Sequence, residues 1–170
     1  LLDGAGPWLR TGDLGFVRDG ELYVTGRLKD LVIVNGRNLY PQDVEMLVEE
    51  VAGFLEPNRC AAFGVDDGGQ ERLAIVLEAD RRLVRVARRA QGDAASLAQL
   101  DALAQRIRSA VASRFGTTVE LLVLVRPGSF PRTSSGKVQR ALCRALNARG
   151  ELDVVYAARE LHPRRRSSDG

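Results

Sequence analysis

The sequence predicts a small α+β fold: a sheet of roughly three main strands with flanking helices, preceded by a β-hairpin. Three observations carry that expectation. In LGFVRDGELYVTG, two short runs with β-branched and aromatic residues flank Asp19-Gly20, the turn pair that a tight hairpin wants. Two long stretches repeat apolar residues at helical spacing between residues that start and stop helices. The intervening apolar runs are short and bounded by glycine or proline. The resulting order after the hairpin, strand-helix-strand-strand-helix-strand-helix, is that of helices packed on a small sheet.

Each element has its own justification. Leu31 to Val34 is a short apolar strand ended by Gly36. YPQDVEMLVEEVAGF predicts a helix with Pro41 in its first position and Asp43 and Glu45 near the first turn, where the helix dipole favours anions. Val44, Leu47, Val48 and Val51 share one apolar face, and Gly53 closes the helix. CAAFGVDDGGQERLAIVLEAD predicts two strands joined by a glycine-rich turn at Asp67 to Gln70. The stretch from Arg81 to Ala90 fits strand, helix or loop. Asp93 is a plausible cap for a longer helix with a stripe of Leu97, Leu100, Leu103, Ile107, Val111 and Phe115, stopped by Gly116. VELLVLVR is a buried strand ended by Pro127-Gly128, and VQRALCRALNAR a third helix stopped by Gly150. From Glu151 onward the sequence offers no clear element, and no internal repeat is visible.

Composition excludes several classes of function. The chain has 170 residues, 45% of them hydrophobic and 28% charged, enough for one ordinary domain or a small domain plus a piece of another. The net charge of +3 comes partly from Arg81, Arg82, Arg85, Arg88 and Arg89 and partly from Arg164, Arg165 and Arg166. No nucleic-acid motif and no aromatic interleaving accompany these runs, so they fit a solvated face and a chain end. Cys60 and Cys143 are too few and too far apart for a disulfide framework or a metal site, and both sit in apolar runs. They fit buried thiols of a reducing compartment, hence a cytoplasmic protein. The single histidine, His162, makes a metal centre or a Ser-His-Asp triad improbable. No apolar stretch is long enough to span a membrane, and neither a span nor a signal peptide is expected in this sequence. The opening LLDGAGPWLR, which starts on Leu1 rather than methionine, reads as part of a longer protein.

One feature points to chemistry. Among 25 Lys plus Arg, lysine occurs only at Lys29 and Lys137. Arginine is a planar fork, whereas lysine is a compact point charge on a flexible stem. Lys137 lies in PRTSSGKVQR, which places Gly136 and three hydroxyl residues, Thr133, Ser134 and Ser135, beside it and just before a predicted helix. These are ingredients of a phosphate or carboxylate contact, and equally of an ordinary capped turn. The loop is not a Walker loop: the required first glycine would fall at Pro131, and Val138 stands where a magnesium-binding hydroxyl is needed.

Two further segments accompany this loop. WLRTGDLG carries an aspartate between two glycines, and GRLKDLVIVNGRNLYPQDVE carries an arginine, a lysine and a glycine in fixed order before a proline-started helix. Together with PRTSSGKVQR they resemble, in order and spacing, the last three signature motifs of the adenylate-forming enzymes. The resemblance extends to about Gly150. The wording of IVNGRNLYPQDVE and LVLVRPGSFPRTSSGKVQR is most similar to the fatty acyl-AMP ligases.

That resemblance implies two half-reactions. A carboxylate attacks the α-phosphate of Mg-ATP to give an acyl-adenylate and pyrophosphate, and a thiol then displaces AMP. It implies that residues 1–28 are the last hairpin of a large N-terminal domain that is absent here. Residues 29–150 would be a mobile C-terminal lid, and 151–170 a tail or linker. Asp13 matches the ribose-binding aspartate and Arg27 the nucleotide-contacting arginine. Lys29 matches the hinge, with Asp30 the adjacent alternative. Gly36 matches the glycine lining the pantetheine tunnel, and Lys137 the catalytic lysine of adenylation. Arg132 departs mildly from relatives that carry lysine there. The implied substrates are a fatty acid and ATP with Mg2+, the last two bound mainly by the absent domain. The implied acceptor is the phosphopantetheine thiol of an acyl carrier protein, in polyketide or lipopeptide initiation. A C-terminal domain of an acyl-CoA ligase and a non-catalytic carrier-protein docking module are the alternatives.

Overall fold

The computed structural model describes residues 10–160. Residues 1–9 and His162 with the arginines of 164–166 lie outside them. The order of elements is β1 (Asp13–Arg18), β2 (Glu21–Arg27), β3 (Val32–Val34), β4 (Arg37–Leu39), α1 (Pro41–Ala52), β5 (Cys60–Asp67), β6 (Gln70–Glu78), α2 (Arg81–Arg89), α3 (Ala94–Phe115), β7 (Val119–Val125), α4 (Arg140–Arg149) and β8 (Val154–Arg159). A single 3-10 turn, Leu28–Asp30, joins β2 to β3.

The two small hairpins follow from their turns. Asp19 and Gly20 both have positive φ, at 53° and 82°, as do Asn35 and Gly36, at 51° and 74°. Paired positive φ values are what a two-residue primed turn requires. The first turn joins β1 to β2 as the sequence predicts. The second makes Gly36 the turn of a β3–β4 hairpin rather than the end of a lone strand, and Arg37–Leu39 returns along Val32–Val34.

The main sheet has four strands in the order β5-β6-β7-β8, one more than the sequence predicts. The pair β5–β6 is antiparallel, β6–β7 parallel and β7–β8 antiparallel. The parallel step needs a long crossover, and α2 and α3 supply it. The fourth strand, β8, comes from the stretch after Glu151 that shows no signal. It is an edge strand with no fully buried residue, so its sequence lacks the apolar alternation that marks a half-buried strand.

Strand alternation divides the interior in two. Cys60, Ala62, Leu73, Ile75, Leu77, Leu122 and Leu124 face α1, α2 and α3. Ala61, Phe63, Ala74, Val76, Leu121, Val123 and Val125 face the opposite way, where Phe130, Cys143 of α4 and Leu152 cover them. Because both faces are covered, every residue of β7 is buried, and its sequence is a continuous apolar run apart from Glu120.

The helices keep most of their expected terminators. Pro41 opens α1, and Gly53, Gly116 and Gly150 are left-handed caps. The Asp93 carboxylate caps α3 through the Ala95 and Ser96 amides. Arg81–Arg89 resolves as a helix because Asp80 caps it through Leu83 N–H at 2.6 Å and it buries Leu83 and Ala87. In α3 the buried stripe runs through Leu100, Leu103, Ala104, Ile107 and Val111, while Leu97 is exposed and Ser96 takes an inward position. Leu97 lies one turn from the Asp93 cap, on the exposed side of the helix start. Glu45 is not a dipole-stabilising surface residue. It is buried on α1, one residue beyond Val44.

Candidate functional site

The PRTSSGK loop is a tight hairpin of its own. Arg132 and Val138 pair as antiparallel neighbours. Thr133 N–H donates to the Lys137 carbonyl at 2.9 Å, and Gly136 N–H donates to the Thr133 carbonyl at 2.9 Å. Gly136 has φ 81°, the left-handed position after a three-residue turn. A side chain there would meet nothing within 4 Å, so glycine serves backbone geometry and not close approach of another part of the chain. Two of the hydroxyls are spent inside the turn. The Thr133 hydroxyl accepts from Lys137 N–H at 3.0 Å and lies 3.0 Å from the Ser135 hydroxyl. α4 begins at Arg140, so Lys137 stands three residues ahead of the helix rather than at its terminus.

The result is an exposed ammonium on a rigid turn. Among the described residues, Lys137 forms no ion pair. It lines a groove of about 680 Å³ together with Arg27, Lys29, Asp30, Gln42 and Gln139. Both lysines of the chain therefore meet at one groove. Its far wall is the junction between the β1–β2 hairpin and the rest of the molecule. Gln42 of α1 donates its side-chain amide to the Thr25 carbonyl of β2. Gly26 makes room for it, since a Cβ there would lie 2.9 Å from the Gln42 amide nitrogen.

Of the other predicted residues, Arg27, Lys29 and Asp30 line this groove, while Asp13 and Gly36 do not. Asp13 and Arg27 are register partners at the open end of the first hairpin, and their side chains pair at 3.3 Å. Asp13 thus reaches the groove only through Arg27. Lys29 and Asp30 lie in the 3-10 turn between the hairpins, where Asp30 faces Arg140 at 3.7 Å. Gly36 is not part of the groove. It sits at the β3–β4 turn with open space where a side chain would be, on a hairpin whose Arg37 donates to the Phe115 carbonyl at the end of α3.

Sequence reasoning missed the pairing of two buried carboxylates with arginines beside the loop. Glu45 is buried, accepts from Ala62 N–H at 2.9 Å and holds Arg140 through two hydrogen bonds of 2.6 Å each. This bidentate contact raises the Arg140 pKa above its ordinary value. Glu78, also buried, accepts from Arg59 and from Gly128 N–H and pairs with Arg132 at 3.8 Å. The available signal was a carboxylate set among apolar residues, in DVEML and AIVLEA. Among the described residues no group of three or more His, Cys, Asp or Glu is placed to hold a metal ion.

A cluster of cations around an open groove can bind an anion such as a phosphate or carboxylate. Known proteins sharpen this. No family model matches the chain. It is 42% identical over 150 residues to the medium-chain-fatty-acid–[acyl-carrier-protein] ligase JamA of Moorena producens, covering 88% of this chain and 24% of that protein. It is 44% identical over 139 residues to the long-chain-fatty-acid–AMP ligase FadD28 of Mycobacterium tuberculosis, covering 81% and 22%. It is 45% identical over 138 residues to a putative fatty-acid–CoA ligase, fadD21, of Mycobacterium leprae, covering 81% and 22%. A structure solved in a study of fatty acyl-adenylate ligases from E. coli and L. pneumophila superposes with a TM-score of 0.65 at 35% identity, over 84% of this chain and 23% of that one. The chain spans about a quarter of the length of the relatives it matches. It belongs to the adenylate-forming enzymes as a C-terminal part of such an enzyme, and these relatives are named as fatty-acid ligases.

Proposed function

We propose that this chain is the mobile lid of a fatty acyl-AMP ligase. The whole enzyme joins a fatty acid to AMP at the expense of ATP and passes the acyl group to the phosphopantetheine thiol of an acyl carrier protein. The observation that carries the reading is the meeting of Arg27, Lys29, Asp30 and Lys137 at one groove. Two motifs far apart in sequence converge there, and among the described residues neither of its lysines, Lys29 or Lys137, forms an ion pair.

In the first half-reaction the fatty-acid carboxylate oxygen attacks the α-phosphorus of ATP, and the bond to pyrophosphate breaks. Negative charge builds on the leaving pyrophosphate. A preorganised cation aimed at developing charge is worth most where water is excluded. Lys137, held out on a hydrogen-bonded turn, would reach into the absent domain and supply it. Arg27 and Asp13 would face the nucleotide. Mg2+ would enter with ATP and neutralise phosphate charge. On this reading its protein ligands would lie mainly in the absent domain. In the second half-reaction the thiol sulfur attacks the acyl carbon, its proton is lost and AMP leaves. Gly36, at its hairpin turn away from the groove, would line the pantetheine path after the lid turns about Lys29 or Asp30.

The domain boundaries follow the same reading. The β1–β2 hairpin carries exposed Phe16, Val17, Leu22, Tyr23 and Val24, as expected of residues 1–28 if they complete a larger domain. Residues 29–150 carry the lid, with β8 of the 151–170 segment added to its sheet.

The test uses the full-length parent enzyme with a labelled fatty acid, Mg-ATP, CoA and a holo acyl carrier protein together. Acyl-adenylate and acyl-carrier protein without acyl-CoA are expected. Lys137→Ala should lower adenylate formation about 10²- to 10³-fold, the usual loss for one electrostatic donor. Abundant acyl-CoA would instead assign the enzyme to the acyl-CoA ligases, and no adenylate would leave a carrier-protein docking module. The isolated chain is expected to show no turnover.

A further inference from the structure

The Lys137 turn is fastened at both ends, and the fasteners are two buried carboxylates from different parts of the fold. Upstream, Arg132 faces Glu78 at the end of β6, and the same carboxylate accepts from Gly128 N–H and from Arg59. Downstream, Arg140 lies in the fork of Glu45 on α1, and Glu45 also accepts from the Ala62 amide of β5. Apolar anchors stand beside each: Phe130 is buried, and Val138 packs against the same cluster. Between Arg132 and Arg140, the turn hydrogen bonds fix Lys137 relative to both ends.

We propose that Glu45–Arg140 and Glu78–Arg132 form a bracket that positions Lys137 for adenylation, each pair acting as a positioning pair rather than a catalytic one. The physical case rests on geometry. Glu45 is held by the Ala62 amide as well as by Arg140, so its position is set by the sheet. A guanidinium meeting a carboxylate in two parallel hydrogen bonds transmits that position with little angular freedom, where lysine would pivot. Glu78 sits at the end of β6, an inner strand of the sheet, and is fixed by Arg59 and the Gly128 amide. The bracket therefore references the loop to the rigid sheet. A long lysine chain needs such a base, because misplacing a reacting group by about 1 Å can cost about 10²-fold in rate. Arg140 further contacts Asp30, so the downstream clamp also touches the turn that joins the first hairpin to the rest.

The inference rests on Lys137 being the lysine of adenylation, and the test separates the two. In the full-length enzyme, Arg140→Lys, Arg132→Lys and the double variant are compared with Lys137→Ala. Arg140→Lys keeps the charge while removing the fork, and Arg132→Lys keeps the charge while loosening the single ion pair to Glu78. Two steps are measured: adenylate formation from fatty acid and Mg-ATP, and thiol transfer from presupplied acyl-adenylate to the acceptor the wild type uses. Thermal melting is followed alongside. The expected result is a fall of about 10- to 100-fold in kcat for adenylation, largest in the double variant. KM for ATP and the rate of thiol transfer should stay within about twofold of wild type. A fall in both steps together with a lowered Tm would overturn the proposal in favour of a purely structural role. Adenylation unchanged in the double variant, while Lys137→Ala loses it, would also overturn it. Adenylation unchanged in Lys137→Ala would instead remove the functional reading on which the bracket rests.

Discussion

The β1–β2 hairpin and the β5–β8 sheet are both antiparallel at their start, both rich in β-branched and aromatic residues, and yet opposite in what they bury. In β7 all seven residues are buried. In the hairpin, Val17 is 69% exposed and Leu22 70%. The hairpin is held by its ladder, its turn and one stacked pair, Phe16 on Tyr23 with ring centroids 5.1 Å apart. An isolated two-stranded hairpin is marginal in water, so local sequence can define its shape without giving it a core. The sheet gains its stability from α1, α2 and α3 on one side and α4 on the other. The difference teaches where this chain is self-sufficient and where it waits for a neighbour.

The largest expected effect concerns thiol protection. Cys60 and Cys143 are fully buried, and burial pushes both thiols up, Cys143 to about 12. At pH 8 both should react with an aromatic disulfide at least about 10³-fold more slowly in the folded chain than in the unfolded one, given ordinary domain stability. A Val17→Cys thiol on the hairpin should react at the unprotected rate. Similar rates for all three would show that the sheet is no more closed than the hairpin. Because folding raises the Cys143 pKa, its contribution to stability is present below the unfolded value of 9 and is lost as pH rises toward about 12.

Side-chain truncation comes next. Leu122→Ala in the sheet should cost about 2–5 kcal/mol by urea unfolding. Leu22→Ala in the hairpin should stay within about 0.5 kcal/mol in this chain, and should become costly only in the full-length enzyme. Equal costs in the 170-residue chain would break the comparison. Removing a cap should have a smaller effect: Asp80→Ala is expected to cost about 1 kcal/mol through the start of α2, read by the same unfolding curves.

The smallest effect is a pH dependence at α3. The Asp93 carboxyl lies below its ordinary value, chiefly because the Ser96 hydroxyl bonds to it, with the Ser96 and Ala95 amides assisting. A depressed carboxyl pKa stabilises the fold above its unfolded value, and that stabilisation is lost as pH falls through the folded one. Wild type and Asp93→Ala should therefore converge in Tm toward acid pH. A constant gap would show that the cap acts without its charge.

The local signals were legible because each depends on neighbours along the chain. Asp19-Gly20 specifies a turn by its own φ values, Pro41 and Asp93 open helices, and Gly53, Gly116 and Gly150 close them. The motif loop and its lysine were visible for the same reason. Leu97 failed because helical spacing gives a face but not which residues of the first turn the rest of the fold covers. β8 was invisible because an edge strand need not alternate, and its place is decided by pairing with β7.

By itself, then, the sequence determined the first hairpin, the two capped helices α1 and α3 and the helix after the motif loop, the buried run of β7, the rarity of lysine and the three motifs that mark the family. Those depend on periodicity and local backbone preference, which act over a few residues. Only the tertiary structure decided that Lys29 and Lys137 share a groove, that Gly36 stands apart from it, and that Glu45 and Glu78 hold the two arginines flanking the loop. These pairings join residues as far apart as 45 and 140, and no local rule constrains which buried carboxylate meets which arginine. Packing sets that choice, because a charge taken out of water is tolerated only where the fold delivers its partner.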